Sequence, residues 1–154
     1  MDDITIARAI HVLAVLLWIG GVAFVTLVVM PSIRAAHPPA DRLAAFHKLE
    51  GRFAAQARIW VLLAGVSGFW MVERGQMWDR FADLRFWWMH AMVGLWAIFA
   101  AMLFVIEPLF LHRRMEDSSQ PAADFDRMEV VHRGLLGFAV ITLLGAVAGS
   151  HGLL

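Results

Sequence analysis

The chain of 154 residues contains no cysteine, which excludes disulfides, thiolate nucleophiles and Cys-ligated iron–sulfur clusters. It has no tyrosine, although it has 7 tryptophans. It has few charges: 17% of residues are Asp, Glu, Lys or Arg, against about 25% in a soluble domain. Net charge is zero, so nothing points to nucleic acid. What the chain has in excess is apolar residues, at 60%, and they fall in blocks of membrane-spanning length. Indole rings favour the headgroup level of a bilayer, which fits the tryptophans. The opening, MDDITIARAIHVL, has Asp2 and Asp3 where a signal peptide is basic, so the first apolar run is expected to remain as a helix.

About 20 apolar residues cross a hydrocarbon core of ~30 Å as a helix. No charged residue occurs from Ala9 to Ile33, from Phe86 to Ile106 or from Gly134 to Leu154. A fourth, weaker span runs from Phe53 to Val72 and contains Arg58. Near the end of its span, Arg58 can snorkel or pair with a cofactor carboxylate. Pro31 closes the first span. The second helix is expected to begin near Asp41, its first part amphipathic and at the headgroups. Gly75 and Asp79 mark the next link, and Ser118-Ser119-Gln120-Pro121 the last. Asp126 and Glu129 have capping-box spacing near the start of the fourth helix, which can begin a few residues earlier. The pattern predicts an all-α, integral membrane four-helix bundle forming a single domain over residues 1–154.

Basic residues give an orientation. Arg34, Arg42, Lys48 and Arg52 lie in one long loop, and Arg113, Arg114, Arg127 and Arg133 in the other. The opposite side has Arg8, Arg74, Arg80 and Arg85. Both termini are therefore expected outside, in a multi-pass protein of the inner (cytoplasmic) membrane.

Seven histidines in so apolar a chain are the main chemical signal. His11 and His90 fall at similar depth in the outer half of the first and third spans. His47 and His132 share the inner level on the second and fourth. At 1.5 Å per residue, His90 and His112 are about 33 Å apart, so one helix cannot bring both to one site. Axial histidines on facing helices commonly hold haem iron. The pairing predicts two haems b, an outer one on His11 and His90 and an inner one on His47 and His132, with a single haem as the alternative. His151 rivals the outer ligands and His112 the inner ones; His37 is expected exposed. Glycines within the spans, Gly20, Gly65 and Gly94 among them, would leave room for a macrocycle. Gly94 lies four residues after His90, on the same helical face. Arg8, Arg52, Arg58 and Arg133 lie near the histidine levels and are candidates to pair with propionates.

Each feature alone has a plainer reading. A single interfacial histidine is usually solvated, glycines usually serve helix packing, and tryptophans usually anchor at interfaces. Matched depth on two helix pairs is what raises the joint case.

The first span, IHVLAVLLWIGGVAFVTLVVMPSIR, has a His, then Trp-x-Gly-Gly, then Pro near the end. It resembles two related membrane families: the CopD type, linked to copper tolerance, and the HemJ family of haem b-containing protoporphyrinogen IX oxidases. FHKLEGRFAAQARIWVLLAGVSGFWM is similar to the HemJ second-helix region. FWWMHAMVGLW is similar to a third-helix Trp-x-His-x-Lys motif, and DRMEVVHRGLL to a fourth-helix Arg-x-x-Glu start. The resemblance runs through nearly the whole chain and implies haem ligation by His11 and His90. Met92 stands where that family has the lysine, which argues against porphyrinogen oxidation. His47 and His132 exceed a one-haem scheme and point to electron transfer.

The expected function is thus a membrane cytochrome b with no catalytic residues of its own. It would transfer electrons across the membrane or with a quinone, and a redox partner protein or a second copy are further candidate partners. The alternatives are a HemJ-like oxidase, a CopD-like copper transport or resistance protein, and a packing subunit without cofactor. The 9 methionines form no ladder on one helical face, as a Cu(I) path of thioethers would need.

Overall fold

The computed structural model describes residues 3–111 and 118–152, with side chains described over 3–107 and 118–152. Four helices are long and apolar enough to cross a membrane: α1 (Asp3–Ala36), α2 (Arg42–Arg74), α3 (Leu84–Glu107) and α4 (Pro121–Ser150). Among the described residues there is no strand. All four expected spans are present, and α2 begins within a residue of its expected start. Two details differ. Pro31 does not end the first helix, because the chain widens into a π-helical turn, Val25–Val29, just before it. There the Met30 amide donates to the Val25 carbonyl, five residues back. The wide turn absorbs the missing N–H and the ring's steric demand, and the helix resumes over Met30–Ala36. Second, α4 starts at Pro121, in the first turn where a missing N–H is harmless. Asp126 and Glu129 therefore lie inside the helix rather than capping it. The opening of α2 is amphipathic, as expected: Leu43 and Phe46 are buried, while Lys48 and Leu49 are exposed.

Two apolar clusters hold the bundle. The larger gathers Ala14, Trp18, Ile19 and Val22 of α1, Val61 and Ala64 of α2, Leu95 and Phe99 of α3 and Ala139 of α4. The smaller brings Val25, Met30 and Ile33 of α1 against Leu43 and Phe46 of α2 and Phe125 of α4. The bundle thus has a terminal end, with the start of α1, the end of α4 and the α2–α3 link, and a loop end, with the α1–α2 link, the end of α3 and the start of α4. Most other apolar side chains point outward: Leu16, Val66 and Leu144 are each about two-thirds exposed (65%, 67% and 65%). A girdle of this kind on all four helices suits hydrocarbon rather than water.

The links are closed locally. At the end of α1, Arg42 donates through Nε to the His37 carbonyl and through Nη2 to the Arg34 carbonyl, both at 3.1 Å, satisfying groups a helix terminus leaves open. Gln76, at φ 50°, turns the chain after α2. Short 3₁₀ turns follow at Trp78–Ala82 and Leu84–Phe86. Asp83 caps the second, accepting from the Arg85 amide at 2.9 Å, and the Arg85 guanidinium holds its carboxyl below the usual aspartate range.

Candidate functional site: four histidines and two ion-pair clusters

His11 lies on the face of α1 that meets α2. Its Nδ1 is 2.9 Å from the Ala64 carbonyl and 3.2 Å from Ser67 Oγ. Gly68 makes this approach possible, because a Cβ there would stand 3.1 Å from the imidazole. His90 is exposed on α3. Its Nε2 lies 3.0 Å from the Phe81 carbonyl, and its ring stands edge-on to Phe81. His11 and His90 share no hydrogen-bond or ring partner among the described residues.

The other two do share a partner. His47 and His132 both stand edge-on to the ring of Phe46, at centroid separations of 6.0 and 5.7 Å. Phe46 is 1% exposed and also meets Phe125. His132 Nδ1 lies 2.9 Å from the Met128 carbonyl one turn earlier. His47 Nδ1 lies 3.1 Å from the Glu50 carboxylate. His47 Nε2 is buried and has no hydrogen-bond partner among the described residues.

These contacts orient the rings. A carbonyl or carboxylate only accepts, so the facing ring nitrogen carries the proton. In a neutral ring the other nitrogen, Nε2 of His11, His47 and His132 and Nδ1 of His90, is the one able to ligate a metal. Metal-ligating histidines are commonly oriented in this way, one ring N–H tied to a carbonyl or carboxylate. Among the described residues no three His, Asp or Glu side chains converge as a metal-ion cluster. A haem iron asks for one or two imidazoles, not three.

The glycines divide into seated and open ones. A Cβ at Gly21 would strike Phe53, one at Gly65 Trp96, one at Gly145 Trp87 and one at Gly149 Trp88, each within 2.7 Å. Gly20, Gly94 and Gly137 have nothing within 4 Å of that position. Of the three glycines singled out in the sequence, Gly65 is a seat for the chain's own indole, and Gly20 and Gly94 are open. Trp96 Nε1 then donates to the Val61 carbonyl at 2.9 Å.

The arginines divide similarly. Arg8, Arg52 and Arg133 are exposed. Arg133 reaches Glu129 one turn earlier on α4. Arg58 donates through Nε to the Leu103 carbonyl at 3.1 Å and pairs through Nη2 with Glu107 at 3.1 Å. His112, Arg113 and Arg114 lie outside the described residues. His151, a rival outer ligand, is exposed, its Nδ1 2.9 Å from the Val147 carbonyl.

The centre of the loop end is a residue the sequence offered only as part of a helix cap. Glu129 is 4% exposed and accepts from both Arg34 and Arg133. Arg34 also pairs with Asp126 at 2.6 Å and lies over the Phe125 ring. Together with Val130 these four side chains, Arg34, Asp126, Glu129 and Arg133, line an open cleft of about 310 Å³. The available signal was the i, i+3, i+7 spacing of Asp126, Glu129 and Arg133, which places all three on one face of α4.

Comparisons with protein-family models, curated proteins and solved structures give no match to this chain.

Proposed function

We propose that the chain is a multi-pass membrane protein that binds haem b and passes electrons through it, with a quinone or a redox partner protein as the other party. The observation that carries the reading is His47: a buried imidazole nitrogen with no hydrogen-bond partner among the described residues, its other nitrogen facing Glu50, and a second oriented imidazole, His132, against the same buried phenyl ring. A buried polar atom without a partner costs about 1–3 kcal/mol, which coordination of a metal would recover. Imidazole is a common axial donor to haem iron, and His47 and His132 would hold it. Bound there, haem supplies one-electron chemistry. The protein's part is to orient the imidazoles through Glu50 and the Met128 carbonyl, and to keep water away with Phe46 and Phe125.

Support for an outer haem on His11 and His90 comes from the depth pattern and the resemblance of the sequence. Each has one oriented nitrogen, but on separate neighbours. The excess of Arg and Lys in the two long loops supports placing the termini outside.

The test is an absorption spectrum of the purified protein with a pyridine haemochrome count. A Soret band is expected in the wild type, and loss of an equivalent of haem in His47→Ala and in His132→Ala. A colourless protein from haem-replete cells would sink the reading. Colour unchanged in both variants would move the haem away from this pair.

A further inference from the structure

We infer that Arg58 stands in for a backbone donor: its guanidinium takes the Leu103 carbonyl that Pro108 cannot serve and, through Glu107, latches the loop end of α3 to α2. The need arises from the register of α3. Its end runs into a π-helical stretch, Met102–Leu111. In a π-helix the carbonyl of residue i accepts from the amide five residues on. For Leu103 that residue is Pro108, which has no N–H. In an apolar surrounding an unserved carbonyl is costly. Arg58 Nε lies 3.1 Å from it, within hydrogen-bond range.

The charge of the substitute is balanced where it is used. Arg58 Nη2 lies 3.1 Å from Glu107, and the two side chains are only 36% and 16% exposed. One guanidinium so bridges two points of α3 a turn apart, a task suited to its fixed fork of donors and beyond a single ammonium. Arg58 and Glu107 are each near the edge of an otherwise apolar run, and the lone arginine of the weakest span acquires a definite job. The π-helical turns of α1 provide a contrast. By the same register Pro31 leaves the Thr26 carbonyl without its amide, yet among the described residues no arginine reaches that turn. Pro31 is followed by a resumed α-helix, whereas at Pro108 the wide turns continue to Leu111. The α3 end is the one that is latched, and it can change register only when Arg58 lets go of Leu103.

The experiment is a rescue in the full-length protein in detergent or nanodiscs. Arg58→Met is expected to lower the thermal midpoint by about 3–6 °C. Pro108→Ala returns an amide to residue 108, so the double variant is expected to recover at least half of that loss. Should Arg58→Met fail to fold, Arg58→Lys is compared with and without Pro108→Ala, since lysine can keep the charge but not both contacts. An equal loss in both backgrounds would overturn the inference. A fall in haem content with an unchanged midpoint would overturn it too, by moving Arg58 to a cofactor carboxylate. The midpoint is read without reference to haem, so this test stands whatever the outcome for the proposed function.

Discussion

The two ends of the bundle are closed by different chemistry. At the terminal end the helices meet through aromatic rings on glycines: Trp87 on Gly145, Trp88 on Gly149 and the His11 ring on Gly68. Its ion pairs, Asp3 with Arg74 and Asp83 with Arg85, are exposed. At the loop end the polar groups go inward. Glu129 is buried between two arginines, Arg58 and Glu107 bridge α2 and α3, and His47 has a buried nitrogen with no hydrogen-bond partner among the described residues. Exposed ion pairs contribute about 0–1 kcal/mol, whereas a buried carboxylate stripped of a partner is strongly destabilising. The contrast assigns shape to the terminal end and polar interactions to the loop end, which is also where the proposed haem ligands share a ring.

The sharpest way to break this contrast is at Glu129. Arg34→Met leaves the buried carboxylate with Arg133 alone, and is expected to cost about 2–3 kcal/mol, read by thermal unfolding in detergent. A cost under about 0.5 kcal/mol would show that the loop-end cluster behaves like the exposed pairs. Next is Gly149→Val, which drives a side chain into the Trp88 ring and should cost about 1–3 kcal/mol. The control is Gly137→Val, whose site is open and should tolerate the change. Equal losses at both sites would remove the distinction between seated and open glycines. Smaller still, Arg74→Ala is expected to change stability by no more than about 0.5 kcal/mol. The smallest effect is at Asp83. Its lowered pKa means that the capped turn contributes fully above the usual aspartate value of 3.8 and loses its contribution as pH falls through the lowered value. Asp83→Asn should flatten that dependence, measured as hydrogen exchange of the Arg85 amide between neutral and acidic pH.

The fold was largely legible because apolar runs without charge have few alternatives to spanning helices. Ala9 to Ile33 and Phe86 to Ile106 are such runs, and both are helical. The proline at position 31 misled, since a composition pattern does not show whether a helix stops at a missing N–H or widens around it. Residue counting set His47 level with His132, and both rings meet Phe46. Rotation was not legible. Residue counting could not foretell that His11 faces Ala64 and Ser67 while His90 faces Phe81, because rotation follows from which side chains interlock. The same limit concealed Glu129: its spacing suggested a cap, while its partner Arg34 is 95 residues away in the chain. Glu107 went unread for a related reason. It sits one residue beyond an uncharged run, and its value depends on Arg58 of a different helix.

The lengths of α1 and α2, 34 and 33 residues, have a consequence for where chemistry can occur. Such helices extend about 50 Å, while a hydrocarbon layer is about 30 Å thick. In the proposed membrane setting some 20 Å of each must overhang, and the charges of α2 between Arg42 and Arg52 place most of its overhang at the loop end. The small cluster of Leu43, Phe46 and Phe125 then stands as a plinth above the acyl chains. An electron donor in the aqueous phase could approach His47 from the side of that plinth, and the lipid tails would not be in its way.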